Sequence, residues 1–274
     1  MRDPRPSRFN EATLPIGAQR SRRSEQRGPV RGDTHPQLTA EDNAQMNAPQ
    51  QNTTEDHLDE MLRRSDELHE TLLRLLDGAE FDLSSRGESS FGMCSVALEH
   101  ASSLRVLMAM GLPTSAVGLM RLQFEALTRA MWLLYGANDA AIAKLVAPLT
   151  TESEQAAKNL PSASEMIEQI GKRVGTNVPE AAHQMLVRFM EVSWQAMNSF
   201  VHGGIHPLRR HAEGFPVPLA LQIMRNSNGL STMTGMVLAV LTGDAAVAKS
   251  MSRIQPEFAD CLPELLNQND DGSP

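Results

Sequence analysis

One segment limits the folds open to this chain more than any other: TSAVGLMRLQFEALTRAMWLLYGA, residues 114–137. It is rich in Leu, Ala and Met, which are strong helix formers. Its apolar residues would cover nearly every face of a helix. Such a helix has no solvent side, so other helices must wrap it. The segment before it, SSFGMCSVALEHASSLRVLMAMG (89–111), is also too apolar for a surface and is expected to be largely buried. Gly111-Leu-Pro-Thr-Ser separates the two.

The remaining elements supply the wrapping. TTEDHLDEMLRRSDELHETLLRLLDG puts Leu58, Met61, Leu62, Leu68, Leu72, Leu75 and Leu76 on one stripe, the pattern of an amphipathic surface helix. Thr53 or Thr54 is its expected cap, and Gly78 lies past its end. Thr151-Glu-Ser-Glu154 and Ser162-Ala-Ser-Glu165 both have capping-box spacing. Pro179 suits the first position of a helix running to about Val201. A long helix is expected over 217–242 and a short one near 245–254. No period-2 run of Val, Ile, Thr and aromatics marks a strand. The fold class is therefore all-α: a single helical bundle of about six to eight helices over 56–262.

Outside the bundle, residues 1–55 are rich in Arg, Pro, Ser, Gln and Asn without helical period, and are expected to be a disordered tail. Met46 is an alternative start within it. Residues 263–274 are expected to fray. Eight arginines against four acids give residues 1–40 a charge of +4, which leaves −12 on the rest of a chain whose net charge is −8. An acidic body is unsuited to tight nonspecific duplex binding, so no duplex DNA is expected as a partner. Cys94 and Cys261 form no CxxC or disulfide framework, which points to a reducing cytoplasm. No apolar run approaches the ~18 residues of a membrane span, and the N-terminus lacks the apolar core of a secretory signal.

Polar residues on helices that ought to be dry are where a site must lie. Arg121, Glu125 and Arg129 stand at i, i+4 and i+8 on the central helix, hence on one face. Arg188, Glu191, Gln195, Asn198 and His202 share a face of the helix ending near Val201. That helix closes in NSFVHGGIHPLRRHAEGFP (198–216), with three histidines, two adjacent arginines and a Gly-Gly pair. His202 has two readings. One is a cap beside free carbonyls at the negative end of the helix dipole, which favours a charged imidazole. The other is general acid/base chemistry. The candidate set is catalytic His202, Arg121, Glu125 and Asn198, with Ser199, His206, Arg209 and Arg210 binding a ligand. No HExxH, GxGxxG, Walker or GxSxG motif occurs, so no metal and no cofactor are expected.

LEHASSLRVLMAMGLPTSAVGLMRLQFEALTRAMWLLYGA, EQAAKNLP, EVSWQAMNSFVHGGIHPLRRHAEGFP and LQIMRNSNGL together resemble a family of uncharacterised bacterial proteins over about 98–230. An Arg-x-x-x-Glu helix followed by Ser-x-x-His-Gly is more distantly similar to HEPN-type helical bundles. That resemblance implies a metal-independent ribonuclease of a toxin or phage-defence setting, or a bundle that only binds RNA or nucleotides. The HEPN nuclease pattern separates its Arg from its His by four to six residues. Before His202 those places hold Met197, Ala196 and Gln195, so Arg121 of the other helix would have to supply the cation. Three readings stand: an RNA- or nucleotide-directed enzyme, a noncatalytic bundle binding a small anion or a protein, and a structural homodimer formed through Met- and Leu-rich surface.

Overall fold

The computed structural model describes residues 40–264, and side chains from residue 56 onward. Among the described residues the chain forms eleven helices and no strand; Val174 and Val178 make an isolated bridge. They are α1 (Ala40–Leu76), α2 (Ser85–Ala109), α3 (Pro113–Tyr135), α4 (Asp139–Val146), α5 (Thr151–Ala157) and α6 (Ala163–Gly171). There follow α7 (Glu180–Val201), α8 (Ile205–Glu213), α9 (Val217–Thr242), α10 (Ala245–Met251) and α11 (Ile254–Glu257). The count exceeds the expected six to eight because several are short connecting turns. The all-α class holds, and no helix among the described residues is long and apolar enough to cross a membrane.

The start of α1 differs from expectation. It begins at Ala40 and runs through Thr53 and Thr54 rather than being capped by them. Residues 40–52 include Ala, Glu, Gln and Met, so helix propensity carries the element upstream. The remainder of the expected tail, residues 1–39, lies outside the described residues, as does 265–274. Other boundaries move little. Ser162 and Glu165 form the predicted capping box, but the earlier one is built on Thr150 and Ser153 rather than Thr151 and Glu154. Pro179 is the N-cap of α7 instead of its first residue.

α3 is central, as its composition demands: α2, α6, α7, α8 and α9 all pack against it. Phe124, Leu127, Met131, Trp132 and Leu133 on α3 are buried. α9 is buried along most of its length as well. Polar ties set the registers. Ser90 Oγ donates to Ala130 O at 2.9 Å, joining α2 to α3, and Trp132 Nε1 donates to Gln169 Oε1 at 2.7 Å, joining α3 to α6. Gln123 Nε2 donates to Ser227 O and Ser231 Oγ, and Ser227 Oγ donates back to Gln123 Oε1 at 2.7 Å. Asn228 Nδ2 donates to Ser65 Oγ and to Cys261 O. Within the polar run Arg225-Asn226-Ser227-Asn228, Ser227 and Asn228 thus supply α9 with satisfied buried bonds to α3, α1 and the C-terminal segment.

Candidate functional site

α3 and α7 run antiparallel. Arg121 reaches His202, whereas Phe124, one turn further along α3, stacks on Phe189 with centroids 4.7 Å apart. This aromatic contact continues to Trp194, edge-on to Phe124 at 6.3 Å. The guanidinium of Arg121 lies over the Trp194 ring, 4.6 Å from its centroid. Its Nε donates to Glu125 Oε1 at 2.9 Å and its Nη1 contacts His202 Nε2 at 3.2 Å. A stacked aromatic core therefore ends in a fixed cation, and that cation holds a histidine 81 positions away in sequence.

The side chains of Arg121 and Glu125 are 15% and 32% exposed, and His202 is exposed. The site sits at the rim of the bundle and not in its interior, as the stripes suggested. The reason is local: α7 ends at Val201, so its cap residue projects past the apolar contact with α3. Arginine has no lone pair to offer, so Nε2 must accept and the imidazole proton belongs on Nδ1.

The turn after His202 is built tightly. Gly203 has φ 65°, the left-handed conformation that ends a helix without strain in a residue lacking Cβ. Gly204 N donates to Ser199 O at 2.7 Å, and His206 N donates to Ser199 Oγ at 3.1 Å. A Cβ on Gly204 would lie 2.5 Å from Ser199 Oγ. The Ser199 hydroxyl thus accepts one of the free N–H groups in the first turn of α8, whose N-cap is Gly204. His206 stacks on Phe200, centroids 5.9 Å apart and planes inclined by 17°. Arg209 pairs with Glu213 one turn on, and Arg210 is half-buried.

Asn198 is half-buried, with its Oδ1 buried and without a hydrogen-bond partner among the described residues. Arg188, Glu191 and Gln195 are exposed along α7. The structure therefore brings Arg121 into direct contact with both Glu125 and His202. It leaves His206, Arg209 and Arg210 on the adjoining α8, with no bond to the first three among the described residues. Glu99, expected on a buried helix, is exposed, and His100 is half-buried. No group of three or more His, Cys, Asp or Glu among the described residues is placed to hold a metal ion.

A family of unknown function, DUF6988, matches residues 94–264. The chain belongs to that family. The match takes in most of α2 and every later helix, so all the DUF6988 residues of this site fall inside it. No curated protein and no solved structure matches the chain.

Two features escaped the sequence reading. Trp194 is the platform for Arg121, and its signal was present: Trp194, Asn198 and His202 are spaced i, i+4, i+8. The other is a polar cluster between α1 and α2. Arg105, buried, donates through Nε to Asp66 Oδ1 at 2.8 Å and through Nη2 to Ser102 Oγ at 3.3 Å. His69 Nε2 lies 3.5 Å from Ser102 Oγ, and its Nδ1 is buried without a partner. Burial, then the neighbouring Arg105 charge, lowers the His69 pKa. No periodicity argument pairs these residues across two helices.

Proposed function

We propose that this DUF6988 chain is directed at RNA or nucleotides, with the Arg121–His202 pair meeting a phosphate and His202 acting as acid/base in a metal-independent cleavage. One observation carries the reading: an exposed imidazole is held by hydrogen bond to a guanidinium that two other groups, Glu125 and Trp194, fix in place. Cleavage beside a 2′-hydroxyl needs a base, an acid and a cation. When a phosphate arrives, Nη1 of Arg121 turns to its oxygen and releases the Nε2 lone pair of His202. That lone pair takes the 2′-hydroxyl proton, the 2′-oxygen attacks phosphorus, and the 5′-oxygen leaves. His206 is the group assigned to return a proton to it. Arg209 and Arg210 add positive charge beside the scissile bond, Glu125 keeps Arg121 oriented, and Asn198 orients the ligand. The reading extends to a HEPN-like role in bacterial toxin or phage-defence systems. The two unpaired, buried cysteines support a reducing, cytoplasmic setting.

A second reading is favoured by the same contacts. Arg121 already spends its Nε on Glu125, its Nη1 on His202 and its face on Trp194, which is what a structural clamp between α3 and the end of α7 would do. Incubation of purified protein with mixed single-stranded RNA in EDTA separates the two, with His202→Ala and its melting curve as control. Cleavage that is lost in a cooperatively melting mutant supports the ribonuclease. A wild type that cleaves nothing, with a mutant of lower melting temperature, sinks it and leaves the clamp.

A further inference from the structure

Arg129 stands on the same face of α3 as Arg121 and Glu125, two turns from Arg121. The three are half-buried, whereas Phe124, Ala126, Leu127 and Thr128 between them are buried and Leu122 is exposed. They therefore mark one polar seam along an otherwise apolar helix. Arg121 bonds Glu125 and His202 and lies over Trp194; no such partner is found for Arg129 among the described residues. Among the described residues its buried Nε has no hydrogen-bond partner and no carboxylate pairs with it. A guanidinium donor withdrawn from water without an acceptor is costly, and native proteins hold few of them.

We infer that Arg129 is a second anion position on the seam, so that the site takes a single strand with at least two phosphates instead of a mononucleotide. This rests on the reading of Arg121–His202 as a phosphate site. Eight residues of helix separate the two arginines by about 12 Å along the axis. Glu125 lies between them, bonded to Arg121, and its negative charge prevents one phosphate from bridging both. A strand satisfies the spacing: one phosphate meets Arg121 and His202, a later one meets Arg129, and the intervening ribose passes the Glu125 carboxylate. That carboxylate accepts hydrogen bonds only, which suits a 2′-hydroxyl donor and favours RNA over DNA.

Fluorescence anisotropy with a labelled 2′-fluoro oligouridine, which lacks the attacking 2′-hydroxyl and so survives the proposed cleavage, tests this in EDTA across a salt series. Uridine monophosphate serves as competitor, and wild type is compared with Arg129→Gln and Arg129→Lys. Arg129→Gln is expected to bind the oligomer about tenfold more weakly, the loss of one charge-assisted contact. The slope of log affinity against log salt should shrink by about 0.7, the value for one phosphate of a single strand. Uridine monophosphate should compete equally with both proteins, and Arg129→Lys should recover most of the affinity. Melting curves exclude unfolding as the cause. Equal oligomer affinity in wild type and Arg129→Gln overturns the second anion position alone, as does a loss that is the same for oligomer and monophosphate. A wild type that binds no oligouridine overturns this inference and the phosphate reading together.

Discussion

A double-mutant cycle on Arg121 and His202 is the most direct test of the contact on which the site depends. Arg121→Ala removes three interactions at once. The i, i+4 pair with a partly exposed Glu125 contributes about 0.3–0.5 kcal/mol. The stack on Trp194 is worth about 0.5–2 kcal/mol, towards the upper part of that range because the guanidinium is 15% exposed. The bond to His202 adds about 0.5–1.5 kcal/mol. Together they predict a loss of about 2–3 kcal/mol by urea unfolding. For a chain of this size that lowers Tm by roughly 5–10 °C. His202→Ala should cost about 1 kcal/mol, for it loses only the shared bond and some capping. The double mutant should then be less destabilised than the sum of the singles, by a coupling of about 0.5–1.5 kcal/mol. Additivity to within about 0.3 kcal/mol would show that the two side chains do not meet in solution, and both readings of the site would lose their basis.

Further outcomes follow from other parts of the fold. Phe124→Ala empties a fully buried ring position stacked on Phe189, and should cost about 3–5 kcal/mol by urea midpoint; a loss under about 1 kcal/mol would refute the aromatic packing that positions Arg121. Stability should fall on acidification in two limbs. The folded His69 pKa is lowered below 6.5, so the unfolded chain takes that proton first, and the contribution is full above that pH and lost as pH drops towards the folded value. Hydrogen bonding to Arg64 holds the Asp260 carboxyl below its usual 3.8, and its contribution is lost at still lower pH. His69→Gln should flatten the first limb, whose slope is at most about 1.4 kcal/mol per pH unit, and an unchanged slope would refute that assignment. Burial pushes the thiols of Cys94 and Cys261 up to about 12 and about 11, so neither should react with a thiol reagent at mild alkaline pH until the protein is unfolded; rapid labelling of the native protein would contradict their burial. Sedimentation tests the homodimer reading through α8, where Ile205 and Leu208 are each 68% exposed: a wild-type dimer that Ile205→Glu with Leu208→Glu dissociates would support it, and a wild-type monomer would dismiss it.

Local chemistry was enough to read the helices and their order. An apolar cylinder such as 114–137 has to be central, Ser162 and Glu165 satisfy each other across one turn, and α9 occupies 217–242 as its pattern indicates. α8 was not legible, because Gly203, Gly204 and Pro207 look like breakers. Yet Pro207 falls in the first turn of α8, where no intrahelical donor is required, so a new helix starts there in a new direction. The candidate residues were visible for the same local reason: polar groups at helical spacing on apolar elements. Their assembly was not. Periodicity says which residues share a face of one helix, but it carries no information about which face of another helix lies opposite. Antiparallel packing of α7 on α3, set by Phe124 on Phe189, decides that Arg121 meets His202 and Trp194. Among the described residues the same packing leaves the buried Nε of Arg129 without an acceptor, a fact of tertiary contact that no single helix could disclose.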